Sequence, residues 1–113
     1  MTATRLSSIL IVLATGFFAA SLPSLGDGYP HLDGEALMNA CGRPDEAWIS
    51  FCNGYVQGAL DGLEDQLEFC IPEYATRAEL SGAVYEFLRQ VPAARELRAA
   101  GVVGAVAMML YPC

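Results

Sequence analysis

The sequence predicts an all-α fold, a small four-helix bundle stapled by two disulfides. Apolar residues recur at spacings of three and four in four segments, and no segment shows the period-two alternation of a half-buried strand. A domain of this size buries a modest share of its surface, so covalent staples contribute materially to its stability. The residues that can form them are Cys41, Cys52, Cys70 and Cys113.

The first 26 residues are predicted to be a secretory signal peptide rather than part of the fold. Arg5 and the amino terminus flank an apolar run over residues 6–20, which is shorter than the ~20 residues of a membrane span. Cleavage is expected after Gly26, with cleavage after Ser21 and an uncleaved anchor as alternatives. The mature domain would then be residues 27–113, in an oxidising compartment that favours bridged cysteines.

The first two predicted helices cover residues 34–41 and about 45–69. Asp33 is a suitable N-cap for the first, and the turn after Cys41 contains glycine and proline. In the second helix three glycines lie four residues apart on one stripe. Each interior glycine costs ~1 kcal/mol relative to alanine, so we expect the stripe to let another helix approach closely. The three are Gly54, Gly58 and Gly62.

The third predicted helix spans residues 77–90, and a fourth follows it. Thr76 and Glu79 have the spacing of a capping box, in which each side chain accepts a hydrogen bond from the other residue's amide. Pro92 restarts the chain into the fourth helix, which reaches Leu110 or Tyr111. All residues of this helix from 99 to 111 are uncharged.

Helix geometry selects one disulfide pairing out of three. Cys52 and Cys70 are separated by roughly 27 Å along the second predicted helix, whereas a bridge needs Cα atoms within about 7 Å. Cys41 and Cys70, at opposite ends of that helix, are also too far apart. The remaining pairing is Cys41–Cys52 with Cys70–Cys113, provided that the helix is not sharply broken at its glycines.

Composition and side-chain chemistry argue against catalysis. The chain has no lysine, and residues 27–113 carry five arginines against thirteen acidic residues, which disfavours nucleic acid and anionic membranes as partners. Bridged cysteines provide neither a nucleophile nor a soft metal ligand, and a lone histidine, His31, is rarely catalytic. An acidic stripe is interpreted as a solvated helix face rather than a calcium site. The stripe is Asp61, Glu64, Asp65 and Glu68. No enzyme activity, metal or cofactor is expected.

Several motifs together resemble the Rap/Tai family of immunity proteins. They are Cys41, the segment Phe-Cys-Asn-Gly-Tyr-Val-Gln-Gly-Ala-Leu-Asp over residues 51–61, Cys-Ile-Pro at 70–72, Phe-Leu at 87–88 with Pro92, and Tyr-Pro-Cys at 111–113. The resemblance extends from about Asp33 to Cys113. Its scaffold residues are Phe51, Gly54, Tyr55, Gly58, Asp61 and Gly62, besides the cysteines.

This resemblance implies a small periplasmic binding protein, commonly a homodimer. In the family, such proteins protect a bacterium by binding papain-like cysteine amidases, delivered by type VI secretion to cut peptidoglycan, and by obstructing their active cleft. We expect the toxin contacts in the connection between the last two helices, which projects further than a helix face. The candidates are Arg89, Arg95 and Glu96.

Two expectations have alternatives. We expect the uncharged last helix to form a two-fold dimer contact through Val103, Val106 and Leu110; the alternative is that it is the central helix of the monomer. The function could instead be that of an acid-stress periplasmic chaperone, which is also small, helical and disulfide-bonded. A lipid-carrying bundle is a third option, although the three disulfides usual in such bundles are missing.

Overall fold

The computed structural model describes residues 31–113, which form four α-helices, one 3₁₀ helix and no β-strand. The elements are α1 (Gly34–Cys41), α2 (Glu46–Leu63), α3 (Arg77–Gln90), the 3₁₀ helix Pro92–Glu96 and α4 (Ala99–Leu110). The predicted all-α class and four-helix architecture are therefore confirmed. The predicted signal peptide, residues 1–26, lies outside the described residues. Within them, no helix has the length and apolarity needed to cross a membrane.

All four α-helices contribute to one core, and α4 contributes most. Six residues of α4 are buried, and the two valines Val103 and Val106 are only 1% and 2% exposed. The α4 helix is therefore the central helix of the monomer. The predicted dimer contact through Val103 and Val106 is wrong, because the monomer's own core already covers both side chains. Leu110, in contrast, is 49% exposed.

The bounds of α1 and α3 follow the predicted caps. The carboxylate of Asp33 accepts a hydrogen bond from the Ala36 amide at 2.8 Å. At α3 the Glu79 amide donates to the Thr76 hydroxyl at 3.1 Å, and the Thr76 amide donates to the Glu79 carboxylate at 3.4 Å. Both helices begin where these caps satisfy amides that lack partners in the first turn.

The second helix is shorter than predicted and ends at Leu63 instead of Phe69. Beyond it the chain turns, with the amides of Gln66 and Leu67 both donating to the Leu63 carbonyl. The Cys70 amide then donates to the Tyr111 carbonyl at 2.8 Å, beside the Cys70–Cys113 bridge. These contacts with the end of the chain replace the last turn and a half of the predicted helix.

The last predicted helix is divided in two by an extended residue, Leu97. Its carbonyl accepts a hydrogen bond from the Gly34 amide at 2.8 Å, and the Ala99 amide donates to the Leu32 carbonyl at 2.9 Å. Asp33 and Arg98 form an isolated antiparallel bridge between these two bonds. The pairing with the start of the domain fixes the extended residue and delays the α-helix until Ala99.

The glycine stripe of α2 does not meet another helix. A Cβ atom added at Gly54, Gly58 or Gly62 would have no neighbouring atom within 4 Å, and all three residues are exposed. The prediction of close packing there is wrong, since the buried residues of α2 are Cys52, Val56 and Leu60 on another face. Tight approaches occur elsewhere: a Cβ at Gly34 would collide with the Ala94 carbonyl and one at Gly104 with Leu67.

Both predicted disulfides are confirmed. Cys41 and Cys52 join α1 to α2 with Cα atoms 5.1 Å apart, and Cys70 and Cys113 join the segment after α2 to the segment after α4 at 5.0 Å. All four cysteines are therefore bridged. One bridge is therefore anchored in the first half of α2, and the other lies beyond its carboxyl end.

Candidate binding surfaces

An open groove of about 420 Å³ lies between α1, the turn after it, α3 and the 3₁₀ helix. Among residues 31–113, three arginines line it and no carboxylate does. We call it the basic groove; its lining residues are Met38, Asn39, Gly42, Arg43, Pro44, Tyr85, Arg89 and Arg95. It includes two of the three residues that the sequence identified as candidate toxin contacts.

Each arginine of the basic groove is held by at least one contact, and Arg89 lies over the Tyr85 ring with its guanidinium carbon 5.9 Å from the centroid. The guanidinium carbon of Arg43 lies 4.6 Å from the ring centroid of Trp48, a cation–π contact. Arg89 forms an ion pair with Glu86 at 3.2 Å on the surface of α3. Arg95 donates from Nε to the Leu88 carbonyl at 2.8 Å and from its terminal nitrogen to the Arg89 carbonyl at 2.9 Å.

The three predicted contact residues therefore play different structural roles. Arg89 is exposed and lines the groove, whereas Arg95 is half-buried and satisfies carbonyls at the carboxyl end of α3. Glu96 is exposed on the 3₁₀ helix but does not line the groove. Sequence reasoning missed Arg43, because the turn around it was considered only as a helix breaker; its proximity to α3 depends on tertiary packing.

The acidic stripe is divided by a second groove, of about 260 Å³, beside the end of α2. Asp61 and Glu64 line this groove above an apolar floor that includes Leu60 and Leu80. Gln57 donates a hydrogen bond to Asp61 at 2.9 Å. Arg77 lines the same groove, so its charge partly offsets the two carboxylates. Asp65 and Glu68 do not line it; both are exposed in the segment after α2, so, contrary to the prediction, the four acidic residues do not share one helix face.

An aromatic ladder runs along the first half of α2. Trp48 meets Phe51 edge-on with ring centroids 5.7 Å apart, and Phe51 stacks on Tyr55 at 6.2 Å. Phe51 is 42% exposed. Burial raises the pKa of the Tyr55 hydroxyl, and a hydrogen bond with the backbone of Ala100 opposes this rise.

Both grooves present charged side chains at the surface of the domain. Among residues 31–113 there is no group of three or more His, Cys, Asp or Glu side chains placed to hold a metal ion. The charged side chains of both grooves line open surface and are available to a macromolecular partner.

Comparison with models of protein families shows which family the chain belongs to. The Rap1a immunity proteins match residues 33–113, a range that includes every helix and both disulfides. The chain belongs to the Rap1a immunity protein family. The resemblance predicted from the cysteine and glycine motifs is thus confirmed. No curated protein and no solved structure matches the chain significantly.

Membership of the Rap1a family indicates an immunity function against secreted toxins, exerted by binding a cognate toxin. Immunity proteins of this family are generally non-enzymatic. The two disulfides are consistent with an oxidising compartment such as the periplasm.

Proposed function

We propose that the protein is a periplasmic immunity protein that binds a peptidoglycan amidase delivered by type VI secretion and occludes its active cleft. The observation that carries this proposal is the family match over residues 33–113. Occlusion requires no catalytic group, only a surface complementary to a cleft, and the charged grooves provide such surfaces.

Export is part of the proposal. Residues 1–26 would act as a signal peptide that is cleaved near Gly26, which releases residues 27–113 into the compartment where the toxin acts. The disulfides support this, because bridges of this kind form and persist in the periplasm and are rare in the cytosol.

The connection from α3 to α4, residues 91–98, is the proposed contact with the toxin. It presents exposed Leu97, with 59% of its surface accessible, and exposed Glu96, next to Arg89 at the end of α3. It is held to α1 by the Gly34–Leu97 hydrogen bond. The guanidinium of Arg95 holds it to the end of α3. A connection held in this way loses little conformational freedom on binding, which favours affinity.

The direct test is inhibition of the cognate cysteine amidase, which we expect to be encoded by a neighbouring reading frame. The oxidised chain should abolish peptidoglycan cleavage at a near-stoichiometric ratio. Substitution of Arg89 or Glu96 by alanine should weaken inhibition without unfolding the protein. Arg95→Ala should in addition lower the free energy of unfolding by about 1–3 kcal/mol, because two carbonyls at the end of α3 lose their donor.

A folded, oxidised sample that leaves the amidase fully active would contradict the proposal. Suppression of aggregation of unrelated proteins at low pH by that sample would indicate the chaperone function instead. Circular dichroism on each variant separates loss of binding from loss of fold.

We also propose that the protein forms a homodimer, as is common in the family. With Val103 and Val106 buried, the apolar surface left on α4 lies at its end: Met108, Met109 and Leu110 are 37%, 58% and 49% exposed. Sedimentation should show a dimer that Leu110→Glu weakens. A monomer at high micromolar concentration would rule this contact out.

A further inference from the structure

We propose that the basic groove is the docking site for an acidic segment of the toxin, a stretch that presents Asp or Glu carboxylates to Arg43 and Arg89. This inference rests on the immunity function proposed above. It adds the chemistry of the toxin surface and a contact residue, Arg43, outside the connection between α3 and α4.

The distribution of charge is the first argument. Residues 31–113 contain five arginines and twelve acidic residues. Three of these five arginines line one groove, and none of these twelve acidic residues lines it. In a domain with this excess of acid, such a groove is a local reversal of the overall charge. Complementary charge at an interface speeds association and excludes wrong partners, so the reversal favours an anionic occupant.

The state of the guanidinium groups is the second argument. Arg43 lies over the face of Trp48, and that contact leaves its charge without a carboxylate partner among the described residues. Arg95 donates to neutral carbonyls only. Arg89 pairs with Glu86, but both side chains are more than half exposed, at 57% and 52%, where such a pair is weak and easily exchanged. The planar fork of a guanidinium matches a carboxylate with two parallel hydrogen bonds.

The shape of the groove is the third argument. Tyr85 and Met38 provide apolar surface beneath the arginines, which lowers the local dielectric and strengthens ion pairs with a bound segment. Gly42 keeps this floor compact, since a Cβ there would lie 3.0 Å from the Tyr85 ring. A second copy of this chain is a poorer occupant. The acidic stripe of such a copy lies on a different surface from the basic groove. A contact between the groove of one copy and the stripe of the next would therefore be heterologous, and it would generate an open filament unless the copies closed into a ring.

The first arm of the test uses the cognate amidase. We would compare the exported, oxidised chain with Arg43→Gln and with the matched control Gln66→Glu, which also lowers the net charge by one, at an exposed position that lines neither groove. Arg43→Gln should weaken amidase binding at least tenfold, and the loss should shrink as salt rises. Gln66→Glu should change affinity less than about threefold. Thermal unfolding of both variants checks the fold.

The second arm is independent of any toxin and uses a synthetic tetraglutamate peptide as probe. Trp48 is the only tryptophan of the chain. Because Arg43 lies against its ring, a carboxylate that draws Arg43 into the groove should change Trp48 fluorescence. A tetralysine peptide should leave the emission unchanged, and Arg43→Gln should abolish the response to tetraglutamate.

The two arms separate this inference from the proposed function. Peptide binding that depends on Arg43, without amidase binding, would support an anion-binding groove and contradict the immunity proposal. Amidase binding that is equal in Arg43→Gln and Gln66→Glu would overturn the groove inference and leave the immunity proposal intact. Self-association abolished by Arg43→Gln would assign the groove to a second copy and would also overturn it.

Discussion

Alanine at position 58 should stabilise the fold, and alanine at position 34 should destabilise it. Both residues are helical glycines, at the exposed middle of α2 and at the start of α1. A Cβ at Gly58 meets no atom within 4 Å. The substitution therefore gains only the difference in helix propensity, about 1 kcal/mol in the free energy of unfolding.

At Gly34 the same methyl group meets backbone. The added Cβ would collide with the Ala94 carbonyl and would lie 2.9 Å from both the Arg95 Cα and the Leu88 Cδ2. Either α1 or the 3₁₀ helix must move, and this movement also strains the hydrogen bond from the Gly34 amide to the Leu97 carbonyl. Overpacking of this kind costs about 1–3 kcal/mol. The two variants should therefore differ by about 2–4 kcal/mol.

Urea and thermal unfolding of the oxidised protein would measure the difference. For a domain of this size, 1 kcal/mol shifts the Tm by roughly 4–8 °C, so Gly58→Ala should melt above the wild type and Gly34→Ala well below it. Gly101→Ala, another exposed helical site with open space, is the matched control and should behave like Gly58→Ala. A Gly58→Ala protein that unfolds earlier than the wild type would refute the assignment of that face to solvent. Repeating the measurement at two protein concentrations would show whether a second copy covers it.

Replacing Cys70 and Cys113 together by serine should lower the free energy of unfolding by about 4 kcal/mol. Replacing Cys41 and Cys52 should lower it by about 3 kcal/mol, because that bridge closes a shorter loop. Urea titration of both variants would measure the difference, and the reverse order would contradict the loop-length argument. The wild type should lose stability above pH ~10, where an unfolded tyrosine ionises, because the pKa of Tyr55 is raised in the folded state. This contribution is complete below the unfolded pKa and disappears as pH rises through the folded one. Tyr55→Phe should reduce the loss while Tyr74→Phe, at an 83% exposed position, should not; equal pH profiles would contradict the burial of Tyr55.

The parts of the fold that depend on local chemistry could be predicted from the sequence. Asp33 and the Thr76–Glu79 capping box placed the starts of α1 and α3, since each satisfies amides only three residues away. The disulfide pairing was also predicted correctly, from the separation that a helix imposes on residues along its axis. These inferences needed no knowledge of which elements pack together.

The errors share a cause, which is tertiary contact. Apolar spacing continues through Leu63 and Leu67, yet the helix ends at Leu63 because the following segment pairs with the end of the chain at Tyr111. Periodicity grouped the three glycines of α2 on one face but could not say whether that face meets a neighbour. The basic groove was missed for the same reason: Arg43 and Arg89 are 46 positions apart in sequence and meet only after α1 packs on α3.

The two disulfides also tie the stability of the folded domain to the redox state of its surroundings. On the loop-closure treatment they contribute together about 7 kcal/mol, which is comparable with the whole stability of about 5–15 kcal/mol of a small domain. A chain kept reduced would therefore spend much of its time unfolded and would present neither groove. Under the proposed periplasmic function, protection against the toxin would begin only once the thiols are oxidised, in the compartment where the toxin acts.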